Sequence, residues 1–343
     1  MKLQVKNIIK ETDNAVSVSF KNGSLFKKLS YKPGQFLTIN VPISGKVHKR
    51  AYSFSSSPFE DKDLKITVKR VEKGLVSNYV NDELEIGDKI EVDRPTGSFF
   101  VEPNESAAKQ YIFFAGGSGI TPIYSIIKSV LTKEPKSRIL LVYANQNYSS
   151  IIFLKDLEKL VEQYGAVFSI EHILSSNDRS EGNFHSGLAT EALITKLFKK
   201  HGLEFSNDSV YMICGPLGYM EVVKEVLRFK EIKSSQIKVE VFSSPKVKLT
   251  GKNLISDVEI QYNGETHKIK VAGNESILKV AMRNNIVLPY ACRAGMCVSC
   301  KASCVSGEVK MIEGHFLEQE EVDMGNILTC VSYPTTENVV IAY

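Results

Sequence analysis

Over residues 1–103 apolar and polar side chains alternate with a period of two. Val16, Val18 and Phe20 alternate with Ser17 and Ser19, and Leu37, Ile39 and Val41 with Thr38 and Asn40; Leu64, Ile66 and Val68 alternate with Lys65 and Thr67. Turn signals at Asn22-Gly23, Pro33-Gly34 and Gly87-Asp88 divide these runs. The pattern predicts a small antiparallel β-barrel. From about residue 108 the rhythm changes. Apolar strands at 111–114, 139–143, 167–173 and 210–213 alternate with helix-like stretches near 122–131, 151–164, 187–200 and 217–229, and a short strand closes the series at 237–242. This alternation predicts an α/β domain with a parallel sheet. The polar segment SSPKVKLTGKN, 243–253, reads as a linker. Beyond it, strands at 258–262 and 268–271 flank the hairpin signal Asn263-Gly264. A helix is expected from Glu275 with Asn274 as its N-cap, followed by a cysteine-rich loop.

The expected division is therefore 1–103, 104–242, a linker at 243–253, and 254–343, in keeping with 343 residues, too many for one ordinary core. Apolar residues at 43% and charged residues at 24% are those of a soluble globular protein. The opening stretch carries Glu11 and Asp13 and is not a secretory signal, and no window approaches the ~18 apolar residues that span a bilayer. A soluble, cytoplasmic chain is expected. The net charge of +4 conceals an asymmetry: residues 254–343 hold eleven acidic and seven basic side chains, against 28 and 36 in the rest. The basic residues are scattered and form no nucleic-acid module, so mutual docking of the two parts is the better use of opposite charge. The six histidines follow no ligand spacing and are expected as surface or packed residues.

Of six cysteines, Cys292, Cys297, Cys300, Cys304 and Cys330 fall in the last 52 residues, which points to metal before disulfides. Cys292-x4-Cys297-x2-Cys300, with Cys330 after twenty-nine intervening residues, is the spacing of a plant-type [2Fe–2S] site. The intervening Ala294-Gly295-Met296 brings little bulk, and Gly295 lets backbone N–H groups approach the sulfides. A structural zinc site and buried free thiols are the alternatives, although zinc usually joins two short paired elements. Cys304 is left over and is expected as a packed side chain. The stretch PYACRAGMCVSCKASCVSGEV resembles plant-type ferredoxins over roughly residues 255–343. The resemblance implies a β-grasp fold with Cys292, Cys297, Cys300 and Cys330 as ligands. Cys304 stands where the family usually has another residue.

In the first region, Arg50-Ala51-Tyr52-Ser53-Phe54-Ser55-Ser56 offers a fork for a pyrophosphate, an aromatic face for a flat ring and a short hydroxyl. An exposed strand ending in a serine-rich turn is the plain alternative. Gly74-Leu75-Val76-Ser77 follows a strand and lets backbone N–H groups reach a phosphate, and Pro95-Thr96-Gly97-Ser98-Phe99 closes the region as a turn. Ala115-Gly116-Gly117-Ser118-Gly119-Ile120-Thr121-Pro122 joins a strand to a helix and offers backbone donors to a nucleotide pyrophosphate, with a plain tight turn as the alternative; it is neither GxGxxG nor a Walker A loop. Cys214-Gly215-Pro216 ends a parallel strand, where α/β sheets bind ligands.

In this order the motifs resemble the ferredoxin–NADP reductase superfamily over about residues 1–242. More narrowly, the chain resembles oxygenase reductase components with a C-terminal ferredoxin domain, such as the phenylacetyl-CoA epoxidase reductase group. The resemblance implies that Arg50, Tyr52 and Ser53 contact FAD, and that Gly74, Val76 and Ser77 lie in the cradle of its phosphates. Gly117, Gly119 and Thr121 would hold NAD(P)H, Cys214 and Gly215 would lie beside the nicotinamide, and Phe242, of a Glu-x-Phe motif starting at Glu240, would lie near the flavin. The implied activity is electron transfer from NAD(P)H through FAD and a [2Fe–2S] cluster to a partner oxygenase, of the phenylacetyl-CoA epoxidase or ring-hydroxylase type, or a desaturase. A non-catalytic iron–sulfur or zinc redox-sensing module is the alternative, and it leaves the first two regions unexplained. NADH and NADPH are not separated: Ser176 and Arg179 suit a 2′-phosphate, and Asp178 opposes one.

Overall fold

The computed structural model describes residues 1–21, 29–176, 179–242, 254–295, 297–312, 315 and 317–343. The expected turn at Asn22-Gly23, Asp178, the linker 243–253 and Met296 lie outside the described residues. The chain divides into two units, Met1–Glu240 and Val241–Tyr343.

In the first unit the alternating runs form β1 (Lys2–Thr12), β2 (Ala15–Phe20), β3 (Phe36–Ile43), β4 (Lys46–Ser53), β5 (Leu64–Lys69) and β6 (Lys89–Val92), in the order β4-β3-β6-β1-β2-β5. All their pairings are antiparallel, and a bridge between Phe54 and Ile66 ties the end of β4 to β5, curling the row into a barrel. The inward residues Val18, Phe20, Leu37, Ile39, Phe54 and Ile66 are fully buried and fill it. One helix was not foreseen: α1 (Leu75–Asp82) follows β5, with Val76 and Val80 turned into the barrel core. Eight residues give too short a period-3.6 signal to stand out beside a strand.

The second sheet of this unit comprises β7 (Gln110–Gly116), β8 (Arg138–Asn145), β9 (Phe168–Leu174), β10 (Phe184–Ser186), β11 (Val210–Cys214) and β12 (Ile237–Glu240), ordered β10-β9-β8-β7-β11-β12 and parallel throughout. Helices α2 (Ile120–Lys133), α3 (Leu154–Tyr164), α4 (Glu191–Lys200) and α5 (Leu217–Phe229) connect the strands. Covered on both faces, β7, β8 and β11 are apolar between their ends, as buried parallel strands are. The three-residue edge strand β10 is too short to read from sequence. The strand order reverses at β7, so the C-terminal ends of β7 and β11 make the crevice at which such sheets bind ligands. His185 and His201 both bond the buried Glu171 carboxylate at 2.6 Å, and Lys200 pairs with it at 2.7 Å.

The second unit contains β13 (Ile255–Tyr262), β14 (Glu265–Ala272), α6 (Ile277–Arg283), β15 (Lys301–Ser306), β16 (Val309–Met311), α7 (Gln319–Asp323), β17 (Asn326–Leu328), β18 (Ser332–Pro334) and β19 (Asn338–Ala342). Five strands run β14-β13-β19-β15-β17, with β13 and β19 parallel, and α6 packs its apolar face on them in the β-grasp manner. Asn263 and Gly264 take positive φ of 52° and 78°, as the two-residue hairpin requires. The helix cap is Ser276 rather than Asn274, because the Glu275 amide is still closing a turn onto the Ala272 carbonyl. Among the described residues no helix is long and apolar enough to cross a membrane.

Candidate functional site

Strand β4 delivers Arg50, Tyr52 and Ser53 in consecutive register against Ile39, Leu37 and Phe36 of β3. Strand alternation puts Arg50 and Tyr52 on one face and Ser53 on the other. Burial pushes the Tyr52 hydroxyl up to about 12, and the nearby Arg50 guanidinium opposes that rise. Tyr52 therefore stays a neutral phenol beside a cation, a flat face next to a phosphate-binding fork. Ser53 is buried, and its hydroxyl donates to Glu240 Oε2 at 3.4 Å.

Gly74 is the N-cap of α1, and no side chain caps that helix start. Ser77 is committed locally: its hydroxyl accepts from the Val71 amide at 3.1 Å and donates to the Gly74 carbonyl at 3.3 Å. A Cβ on Gly74 would stand 2.5 Å from that hydroxyl. Val76 is core. Of the expected phosphate cradle, the backbone N–H groups of the first turn of α1 are what remains to face a ligand.

The glycine-rich turn runs from the end of β7 into α2. A Cβ on Gly119 would lie 2.0 Å from the Cys214 carbonyl oxygen, and one on Gly215 would lie 2.9 Å from the Gly116 backbone. The two loops at the strand-order reversal thus pack backbone on backbone, and only glycine allows it. Gly117 adopts φ +51°, and its carbonyl accepts from the Tyr143 hydroxyl at 3.0 Å. Thr121 donates to the Ser118 carbonyl at 3.0 Å and is buried, so it shapes the turn. Above Gly117 the space is open, with Lys69 Nζ 3.5 Å from where a Cβ would stand. Burial alone holds the Lys69 amine below its ordinary value.

Cys214 and Glu240 are register partners on β11 and β12. Burial pushes the Glu240 carboxyl up to about 8, against the Ser53 hydrogen bond. Burial, then the Glu240 charge, pushes the Cys214 thiol well up, so it is a neutral thiol and no nucleophile. Ser53, Cys214 and Glu240 converge from three strands. The sequence motifs picked out Ser53 and Cys214 but not Glu240, which was visible only as the first letter of Glu-x-Phe. Lys69 was missed as well, because a lysine ending an alternating strand carries no signal of its own. Phe242 belongs to the second unit and is exposed. Arg179, weighed for a phosphate, lies with its guanidinium over the Tyr148 and Phe184 rings, 4.9 and 4.6 Å from their centres.

In the second unit Cys292, Cys297 and Cys300 lie on the loop between α6 and β15, and Cys330 lies between β17 and β18. Positive φ at Arg293 (56°) and Gly295 (76°) bends the loop, and the Ala294 amide points at Cys292 Sγ at 3.4 Å. The Thr329 amide and hydroxyl both donate to the Cys300 carbonyl, at 3.1 and 3.2 Å, tying the turn that carries the fourth cysteine to the third cysteine. The thiols pair. A hydrogen bond from Cys292 leads the effects that bring Cys297 down to about 5, and one from Cys330 lowers Cys300 while raising Cys330. Among the described residues no three His, Cys, Asp or Glu side chains gather around a single metal position. Two sulfur pairs suit a core with two metal centres, each taking two thiolates. Cys304 stands apart on β15, its thiol 3.6 Å from the Ser306 and Gly307 carbonyls.

Comparison with known proteins accords with this arrangement. Residues 2–101 match the oxidoreductase FAD-binding domain, 113–225 the oxidoreductase NAD-binding domain, and 260–335 the 2Fe-2S iron-sulfur cluster binding domain. The chain is 32% identical to the ferredoxin reductase component of 3-ketosteroid-9-alpha-monooxygenase from Mycobacterium tuberculosis, over 100% of this chain and 96% of that protein. It is 30% identical to one component of the 1,2-phenylacetyl-CoA epoxidase of Escherichia coli, over 99% of this chain and 97% of that protein. The fold resembles phthalate dioxygenase reductase with a TM-score of 0.67 and 23% identity, over 100% of this chain and 98% of that one. The chain therefore belongs to the family of ferredoxin reductase components of oxygenases, oxidoreductases with FAD-binding, NAD-binding and [2Fe–2S] domains.

Proposed function

We propose that the protein takes reducing equivalents from NAD(P)H and delivers them one at a time to an oxygenase partner, with FAD held in 1–103, the nicotinamide nucleotide in 104–242 and the cluster in 254–343. The observation that carries this reading is the meeting of Ser53, Cys214 and Glu240, which joins the Arg50–Ser53 strand to the ends of two strands more than 160 residues away. FAD supplies the change from two-electron to one-electron chemistry, and the cluster supplies a one-electron outlet.

The residues present fit these groups. Arg50 and the uncapped start of α1 offer cationic and N–H donors to a pyrophosphate, and Tyr52 gives a neutral aromatic face. Lys69 brings a half-buried ammonium to the open side of Gly117, where a second pyrophosphate would bind. Gly116, Gly119 and Gly215 let the turn and the Cys214 loop lie close enough to form one floor. Glu240, mostly protonated at neutral pH, places an uncharged carboxyl beside Ser53, and with the neutral Cys214 thiol it keeps fixed negative charge away from the ring site. Cys292, Cys297, Cys300 and Cys330 would hold the two irons, and thiolate ligands imply a reducing compartment, the cytoplasm. A zinc or redox-sensing module would leave the whole first unit without a role.

The test is the visible spectrum of the anaerobically purified chain, with and without Cys297→Ser, followed by titration with NADH and NADPH. The reading expects iron–sulfur absorption lost in the variant and flavin bleaching by nucleotide retained. Zinc in the wild type, or an unchanged spectrum in Cys297→Ser, would overturn the ligand assignment.

A further inference from the structure

The flavin motif runs past the end of its strand at Ser53. The chain runs on through Phe54 into Ser55, Ser56 and Ser57, none of which has any exposed surface. Three fully buried serines in a row need partners. Ser55 spends its hydroxyl on Thr67 of β5 at 2.8 Å. The Ser56 hydroxyl meets that of Tyr31 at 2.6 Å and accepts from the Lys65 amide at 3.0 Å, which leaves the Ser56 carbonyl and the Ser57 hydroxyl to face α2, the helix that begins at the glycine-rich turn. The Ser56 carbonyl accepts from the Ser125 hydroxyl at 2.6 Å, and the Ser57 hydroxyl meets that of Ser129 at 2.8 Å. Asp61 accepts from the Ser57 amide at 2.6 Å and pairs with Lys128, a lysine only 4% exposed. Thr132, one turn further along, reaches Glu60 at 3.5 Å. Positions 125, 128, 129 and 132 lie on one face of the helix.

We propose that this ladder is a positioning device: segment 55–61 holds α2 in fixed axial register, and thereby holds the Gly117–Thr121 nucleotide turn against the Arg50–Ser53 flavin strand. The proposal rests on the functional reading above. An apolar helix face can slide, since hydrophobic contact is non-directional. Hydrogen bonds and a half-buried ion pair cannot slide without breaking. One residue along a helix is about 1.5 Å, and a misplacement of about 1 Å between reacting groups can cost on the order of a hundredfold in rate. The ladder engages α2 at three successive levels, and the Gly119–Cys214 contact pins its start. Lys128, Asp61, Ser57 and Ser129 touch neither nucleotide nor flavin in this scheme; they act through α2.

The test compares wild type with S57A/S129A and D61L/K128M in the full-length, flavin-loaded protein. Each double variant removes both partners of the paired interaction; D61L/K128M also takes the side-chain acceptor from the Ser57 amide, and S57A/S129A that of the Phe59 amide, so both should fold with some loss of stability. Stopped-flow flavin reduction at saturating nucleotide is expected to fall about tenfold or more in D61L/K128M and about threefold in S57A/S129A, with nucleotide half-saturation within about twofold of wild type. The primary deuterium isotope effect on flavin reduction should rise, and amide exchange over 120–133 in the nucleotide-free protein should quicken. Folded variants that reduce flavin at the wild-type rate, or lose nucleotide affinity alone, would overturn the proposal. A wild type without bound flavin, or one that no nucleotide reduces, would instead overturn the functional reading.

Discussion

The two units build their sites in opposite ways. In the second, three of four candidate ligands lie within nine residues, and the loop that carries them needs little from elsewhere beyond the Thr329 clamp and Cys330. In the first, Ser53, Lys69, Gly117, Cys214 and Glu240 come from five separate segments, and the site exists only because two sheets and α2 are locked together. The local site depends on the identity of a few atoms. The distributed site depends on close approach of backbone segments, so its vulnerable positions are those with no room rather than those with reactive groups.

The sharpest way to break that contrast is at a residue without a side chain. Gly119→Ala puts a Cβ 2.0 Å from the Cys214 carbonyl, and both sides of the clash are backbone. The expected cost is about 3 kcal/mol or more, with nucleotide binding lost and the iron–sulfur spectrum intact. Denaturant unfolding and a nucleotide titration measure both. Wild-type stability would mean that the two loops can separate freely.

Glu240 tests the same site through charge. Its folded value is raised to about 8 from an ordinary 4.5, so the protonated form is favoured by the fold. Its contribution to stability is full below about pH 4.5 and is lost as pH rises toward 8. A tenfold change in proton affinity corresponds to about 1.4 kcal/mol, which sets an upper bound of about 5 kcal/mol here. Relaxation around the buried charge leaves about 2 kcal/mol. Glu240→Gln, neutral throughout, should therefore hold its stability better than wild type between pH 5 and 8, as melting temperatures against pH would reveal. Parallel curves would place Glu240 in contact with water.

The same contrast explains what the sequence made legible. The cysteine spacing spoke for itself because a cluster loop is a local object. Barrel and parallel sheet followed from period, because strands buried on one face alternate and those buried on both do not, whereas the β-grasp came from the resemblance to plant-type ferredoxins. Glu240 and Lys69 stayed hidden because each matters through neighbours far away in sequence: Glu240 through Ser53 and Cys214, Lys69 through the open face of Gly117. Gly74 and Ser77 were read for a phosphate, yet their side-chain positions serve the turn into a helix whose eight residues left too faint a period to notice.

Lys69 offers a smaller effect. Lys69→Met keeps the aliphatic stem and removes a single ammonium, so the fold should be unmoved. Nucleotide affinity should fall about tenfold, or about 1.4 kcal/mol, and the wild-type affinity should weaken with salt more steeply than that of the variant. Equal salt slopes in a fluorescence titration would remove Lys69 from the site.

The smallest expected effect falls on the residue that proximity makes most suspicious. Cys304 lies four positions from Cys300, closer in sequence than Cys330, so a loop that gathered whatever sulfur was near would take it. The fold directs it elsewhere. It sits on β15 at the irregularity between Cys304 and Ser306, packed against the second unit's core, with its thiol turned to the Ser306 and Gly307 carbonyls. Burial raises that thiol's pKa, which keeps it protonated and a poor ligand. A serine there can make the same bonds. Cys304→Ser should therefore change stability by about 0.5 kcal/mol or less and leave both iron content and visible absorption at wild-type levels. Loss of iron in this variant would mean that nearness in sequence, rather than strand direction, chooses the ligands, and the contrast between the two units would fail at the site where it looks most secure.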